Sequence, residues 1–287
     1  MSDIDLFIIF RDSFLPDEEM QARQFFQYCK LISPLDLELP ISDEKSLFTV
    51  NSVALKMNSL LIYGEDMREK IVLPFIDEYI RQVIFFPKRY FGSVLRNMET
   101  LVYPLNYPNP DGEFYGYDKK IDSRDEFDIR STKWLVVNVC WIATAIIAMK
   151  ARRYVAAKSH CIRLYRESIN DEWTNYLDFI YLKCKILWGY QIPKKKNDRR
   201  LLRDICKRTL AFENHFLNIY KDYLLSELSS NVEDNKLLAL RKMAEIVYPD
   251  DEIIRILQEV IINGSEELCQ AAKKASLRIQ AVSLHNH

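Results

Sequence analysis

The sequence has little glycine, almost no net charge and no apolar run long enough to cross a membrane. Six glycines in 287 residues predict long helices with few tight turns. A formal net charge of −1 indicates that the chain as a whole does not bind nucleic acid electrostatically. The longest apolar run, from Trp134 to Met149, is shorter than the ~20 residues that span a bilayer. We therefore expect a buried core helix there and no membrane insertion.

The sequence also lacks closely spaced cysteines and a secretory signal. Its six cysteines are scattered, and none forms a Cys-x-x-Cys pair. The first five residues, Met1-Ser-Asp-Ile-Asp, contain two acids where a signal peptide requires a basic segment. Both features are typical of a cytoplasmic protein with reduced, buried thiols.

Two hydrophobic patterns divide the chain. Residues 4–10 are continuously apolar, as in a buried strand, and residues 35–39 alternate between leucine and acid, as in a strand with one wet face. Most of the chain after residue 67 has helical periodicity, including an expected long helical segment over 71–102. The patterns predict an α+β fold with a short mixed β-sheet module at residues 1–66 and a mainly α-helical domain at 67–228.

The C-terminal segment, residues 229–287, differs from the preceding domain. Three short amphipathic helices with small residues at their contact positions resemble HEAT repeats. One repeat cannot bury its apolar face alone. We therefore expect this HEAT-like tail to dock on the helical domain, on a protein partner or on a second copy of the chain.

The acids near the N-terminus point to metal chemistry. Asp3 and Asp5 begin the first predicted strand, and side chains two residues apart point to the same side of a strand. Paired carboxylates bind hard cations such as Mg²⁺. Asp36 and Glu38 both lie on the wet face of the second strand, and either could be the third metal ligand or a general base. The sequence thus predicts a site that positions a nucleoside triphosphate and activates a hydroxyl.

Several segments resemble a known family in the same order along the chain. Ser2-Asp3-Ile4-Asp5-Leu6 resembles the D-x-D strand of the polymerase-β-like nucleotidyltransferases, and Pro34-Leu-Asp-Leu-Glu38 resembles the strand that carries the family's third acid. Ser59-Leu-Leu-Ile-Tyr-Gly-Glu-Asp66 is similar to the segment that closes the catalytic module in the aminoglycoside-adenylyltransferase branch. The helices around Ala157-Lys158-Ser159 resemble the C-terminal domain of that branch. The resemblance covers roughly residues 2–220.

The resemblance implies Mg²⁺-dependent transfer of a nucleoside monophosphate, AMP from ATP, to a hydroxyl of a small molecule. It implies that Asp3, Asp5 and Asp36 bind metal and that Asp36 or Glu38 is catalytic. Lys158 would contact the nucleotide phosphates, as a lysine near this position does in that branch.

The chain departs from the family at its start. The family has a phosphate-binding Gly-Ser turn about ten residues upstream of the D-x-D strand, whereas this sequence begins at Met1. An alternative is therefore a catalytically degenerate transferase that acts as a protein-interaction module. A weaker alternative is transfer onto RNA through a basic cluster at a predicted helix start, although such clusters are more often solvated. The cluster comprises Lys194, Lys195, Lys196, Arg199, Arg200 and Arg203.

Overall fold

The computed structural model describes residues 4–15, 17–33, 37–47, 53–121 and 129–285. Helices make up 64% of the described structure, and the described strands are two or three residues long and paired two by two. An α+β fold dominated by helices is therefore confirmed.

The N-terminal region, residues 4–66, contains two parallel strand pairs. β1 (Ile4–Asp5) pairs with β3 (Leu37–Glu38), and β2 (Ile8–Phe10) pairs with β4 (Ile41–Asp43). Helix α1 (Glu18–Ile32) connects β2 to β3, a crossover that allows parallel pairing. The sequence predicts a mixed sheet in this region. The pairs described in residues 4–47 are both parallel, so that prediction was wrong for this part.

Two short helices complete the N-terminal region. They are α2 (Glu44–Leu47) and α3 (Val53–Asn58). The carboxylate of Asp43 accepts hydrogen bonds from the backbone N–H groups of Phe14 and Ser46, which ties the end of β2 to the start of α2.

The helical body, residues 67–285, begins with interrupted helices rather than one long helix. After a 3₁₀-helix at Arg68–Lys70, the first α-helix is α4 (Ile76–Val83), and the second is α5 (Phe86–Lys88), which continues as a π-helix over Arg89–Val94. Pro87 lacks a backbone N–H and lies in the first turn of α5, where proline is tolerated. The chain then extends into β5 (Leu101–Val102), and β6 (Lys120–Ile121) pairs antiparallel with β7 (Ile129–Arg130) further along the chain. The expectation of continuous helix over 71–102 was therefore wrong.

Helix α6 (Lys133–Ala151) is the centre of the core. Thirteen of its 19 residues are buried. In the described part of the chain it is the one helix long and apolar enough to cross a membrane, but 72% of its most apolar window is buried inside the protein. The prediction of a core helix is confirmed. Helices α4 and α5 pack against it, as do α7 (Lys158–Ser168), α8 (Thr174–Ile180) and α9 (Lys196–Leu228).

The C-terminal helices share this core. They are α10 (Glu233–Met243), α11 (Asp251–Asn263) and α12 (Glu266–His285), with β8 (Ile246–Val247) between the first two.

Side-chain and strand contacts join this tail to the helices before it. β8 pairs in parallel with β5. Tyr248 Oη donates to the carbonyl of Leu217 at 2.9 Å, and Arg278 Nη1 donates to Thr100 Oγ1 at 2.6 Å. One cluster of buried apolar residues runs from Ile84 to Ile279, so the tail packs on the preceding helices.

A buried polar network joins three parts of the helical body. Glu213 on α9 is fully buried. Its carboxylate accepts hydrogen bonds from Arg96 at 2.7 Å, Tyr117 at 2.9 Å and Asn138 at 2.7 Å. Burial also raises the pKa of Tyr117 well above its ordinary value, so the phenol stays protonated and donates. The network holds the loop at 103–119 against α6 and α9.

Candidate functional site

The structure pairs the two strands on which the sequence places the acids. Asp5 and Glu38 are backbone partners in the parallel register of β1 and β3. Asp3 and Asp36 lie outside the described residues, as do the side chains of Asp5 and Glu38. Two strands more than thirty positions apart in sequence are therefore neighbours, as an acid site shared between them requires.

A metal site elsewhere receives no support. Within the ranges that the structure describes, no group of three or more His, Cys, Asp or Glu side chains is placed to hold a metal ion. Asp3, Asp5, Asp36 and Glu38 as Mg²⁺ ligands stay a prediction from the sequence.

A cavity of about 850 Å³ lies between the N-terminal region and the helical body. Phe7, just after β1, and residues of α3 line one side. Residues of α4 and α6 and the segment 155–159 line the other side. Ligand pockets commonly measure roughly 300–1,000 Å³, so the volume of this cavity lies within the range of small-molecule sites.

One part of the cavity lining is cationic. Lys158 is the first residue of α7, and Lys185 lies in a π-helix that follows α8. Residue Ala157, which precedes α7, supplies no side-chain cap to that helix. A helix N-terminus carries positive partial charge and unpaired backbone N–H groups, which favour phosphate. The residue to which the resemblance assigns phosphate contact is thus at the cavity.

A second part of the lining is aromatic. The rings of Phe86 and Trp141 stack with their centroids 4.6 Å apart and their planes at 12°, and both residues line the cavity. Tyr90 lies nearly parallel to Trp141, with centroids 6.1 Å apart. The Phe86 side chain is still 38% exposed. Phe86 and Trp141, termed the aromatic wall below, offer a flat apolar surface to a ligand.

Sequence reasoning missed the aromatic wall. The sequence pattern places Trp141 inside the buried core helix expected over residues 134–149 and Phe86 inside the continuous helix expected over residues 71–102. The one available signal was a tryptophan among the small and aliphatic residues of α6. A tryptophan in the sequence does not reveal which aromatic ring stacks on it in the folded chain.

Two potentially reactive groups in the cavity lining are unreactive. Burial raises the pKa of the Cys140 thiol to about 11, although Lys158 and Lys185 act in the opposite direction. The thiol is therefore protonated at neutral pH and is a poor nucleophile. Burial also raises the pKa of Tyr79 to about 12, and its hydroxyl is hydrogen-bonded to the backbone N–H and C=O of Val155. Neither of these two groups is therefore suited to act as a covalent catalyst.

The basic cluster at the start of α9 has a structural role in part. Arg199 and Arg203 both form ion pairs with Glu113, and the Arg199 guanidinium lies 5.0 Å from the ring centroid of Phe114. The Arg199 hydrogen bond lowers the pKa of Glu113. These two arginines anchor the loop that contains Glu113 and Phe114.

No family model matches the chain, and no curated protein or solved structure is significantly similar to it.

Proposed function

We propose that the protein is a Mg²⁺-dependent nucleotidyltransferase of the cytoplasm that transfers AMP from ATP to a hydroxyl of a small molecule. One observation supports this proposal above the others. Phe7, two residues after Asp5, and Lys158 line the same cavity. A residue that follows the strand with the predicted acids and the predicted phosphate-binding lysine thus line one cavity, although they are far apart in sequence.

The predicted donor set fits Mg²⁺ by its chemistry. Carboxylate oxygens are the ligands that Mg²⁺ prefers, and Asp5 and Glu38 belong to neighbouring parallel strands. In this proposal Asp3, Asp5 and Asp36 hold the metal. When bound, Mg²⁺ would neutralise charge on the phosphates of ATP.

The residues of the chain have separate roles in the reaction. Lys158 and the N-terminus of α7 bind phosphate oxygens, and Asp36 or Glu38 accepts the proton of the acceptor hydroxyl. The hydroxyl oxygen forms a bond to the α-phosphorus. The bond from that phosphorus to its bridging oxygen breaks, and pyrophosphate leaves with the electron pair.

The acid pair provides the test. Calorimetric titration with ATP in the presence of Mg²⁺ is expected to show at least tenfold weaker binding in the Asp3→Asn/Asp5→Asn double variant. Asp111→Asn is the matched control, because Asp111 is exposed in a loop outside the cavity lining. Equal ATP affinity in the double variant and the wild type would reject this site.

A second candidate function is a degenerate transferase that serves as a protein-interaction module. The observation that favours it is α1, which contains no buried residue and exposes Phe25, Leu31 and Ile32. Assays for pyrophosphate release across a range of hydroxylated acceptors separate the two functions. Tight ATP binding without release of pyrophosphate from ATP in the presence of any acceptor supports the interaction module.

A further inference from the structure

The charge of the cavity lining restricts the acceptor. Lys158 and Lys185 are the ionised side chains among the described lining residues, and no aspartate or glutamate is among them. Asp3, Asp5, Asp36 and Glu38 are assigned to metal binding and proton transfer. A polycationic acceptor such as an aminoglycoside needs carboxylates to pair with its ammonium groups, and the described lining supplies none beyond the acids already assigned to these two roles.

The rest of the lining favours a ligand with an apolar face. The aromatic wall presents Phe86 with 38% of its surface exposed, and Val83 lies in the same lining. Exposed aromatic rings in a cavity bind planar or apolar groups by stacking and burial. The neutral polar side chains of Asn58, Gln82 and Ser159 can bond to hydroxyls without requiring a charge.

We propose that the acceptor is a hydroxylated molecule without net positive charge whose apolar or aromatic face packs against Phe86 and Trp141. This inference rests on the proposed nucleotidyl transfer and names the acceptor class for the same site. The cations hold the nucleotide phosphates, and the aromatic wall holds the acceptor, so substitutions in the two parts have separable effects.

Two probes that both carry hydroxyl groups differ in net charge and in aromatic character. 4-Nitrophenyl β-D-glucopyranoside is neutral, hydroxylated and aromatic, whereas kanamycin is a hydroxylated polycation. Binding of each to the full chain is measured calorimetrically at saturating Mg²⁺ and ATP. We expect the glucoside to bind at least tenfold more tightly than kanamycin.

Substitutions then locate the binding. Phe86→Ala is expected to weaken glucoside binding at least tenfold while it leaves the Kd for ATP within twofold. Phe75→Ala is the matched control, because Phe75 is 87% exposed and is not part of the cavity lining; it should change neither affinity. Circular dichroism and the melting temperature establish that both variants fold.

The outcomes distinguish this inference from the proposed function. If the wild type fails to bind ATP, the nucleotidyltransferase proposal itself fails. If ATP binds but kanamycin binds as tightly as the glucoside, the acceptor class is wrong and the transferase proposal stands. The inference is equally overturned if neither probe binds beside ATP, or if Phe86→Ala leaves glucoside binding unchanged.

Discussion

The N-terminal region and the helical body use apolar residues in opposite ways. Helix α1 buries none of its residues and exposes 61% of Phe25 and 76% of Leu31. Helix α6 buries thirteen of 19 residues. The N-terminal region touches the helical body through small clusters, in which Val53 packs near Tyr79 and Val83 and Leu47 packs near Ile71.

The region that contributes most to the stability of the fold is therefore not the region that carries the predicted metal-binding acids. The helical body contains most of the buried apolar surface and the Glu213 network, so it dominates the free energy of unfolding. The N-terminal region carries the predicted metal-binding acids on elements with few buried contacts. Functional elements are often drawn from the less stable parts of a fold, and the cavity lies where the two regions meet.

The largest expected effect is the loss of the buried carboxylate in the helical body. Glu213→Leu leaves Arg96 buried without its partner, and breaking a buried ion pair costs about 3–5 kcal/mol. Urea denaturation should show this loss in the free energy of unfolding. Glu113→Ala, which removes an exposed partner of Arg199 and Arg203, should cost no more than about 1 kcal/mol. Similar costs for the two variants would contradict the assignment of the network to the core.

Truncating one apolar side chain in α6 and one in α1 tests the difference in burial between the two regions. Ile146 on α6 is fully buried, so Ile146→Ala should lower the free energy of unfolding by about 2–5 kcal/mol. Phe25→Ala on α1 should change it by no more than about 0.5 kcal/mol, since Phe25 is exposed. Chemical denaturation of both variants measures the difference. A large cost at Phe25 would mean that α1 is packed against another surface in solution.

The secondary structure could be predicted where a segment shows one clear hydrophobic periodicity. The apolar run of α6 and the helical spacing of apolar residues in α9 predict these helices without any information about distant parts of the chain. The break between α4 and α5 was missed because apolar residues continue at helical spacing up to it, at Tyr79, Ile80, Val83 and Ile84. That β1 and β3 are neighbours was expected from two signals together: the alternation of leucine and acid at residues 35–39, and the family resemblance of both strands.

The site could be predicted only in part. Lys158 came from resemblance, whereas the stacking of Phe86 on Trp141 depends on how α5 packs against α6, which a local pattern does not encode. Glu213 lies next to Phe212 in α9, three residues before Phe216. A lone acid on an apolar helix face was the signal that could have revealed the buried network.

A smaller effect is expected where the tail joins the helical body. Tyr248→Phe removes the hydrogen bond to the Leu217 carbonyl and should cost about 1 kcal/mol. Tyr28→Phe on α1, where the ring is 61% exposed, should have no measurable effect. Thermal denaturation compares the two. If Tyr248→Phe is as neutral as Tyr28→Phe, this bond does not stabilise the junction.

The smallest effect is a local pH dependence in the N-terminal region. Hydrogen bonds from Ser46 and Phe14 lower the pKa of Asp43 below its ordinary value of 3.8. Because the folded-state pKa is depressed, the stabilisation is present above pH 3.8 and is lost as the pH falls through the folded-state value. Hydrogen exchange at the Phe14 and Ser46 amides should therefore accelerate there, after correction for the intrinsic rate. Asp43→Asn should remove this pH dependence, and an unchanged profile would contradict the assignment.

The most direct test of the nucleotide site is the ATP affinity of a Lys158 variant. Calorimetric titration with ATP and Mg²⁺ should give a Kd at least tenfold higher for Lys158→Met than for the wild type, a difference of about 1.4 kcal/mol. Lys150→Met is the matched control, since Lys150 is an exposed lysine near the end of α6 and is not part of the cavity lining; its Kd should stay within twofold. Equal ATP affinity in all three proteins would contradict the placement of the nucleotide in this cavity.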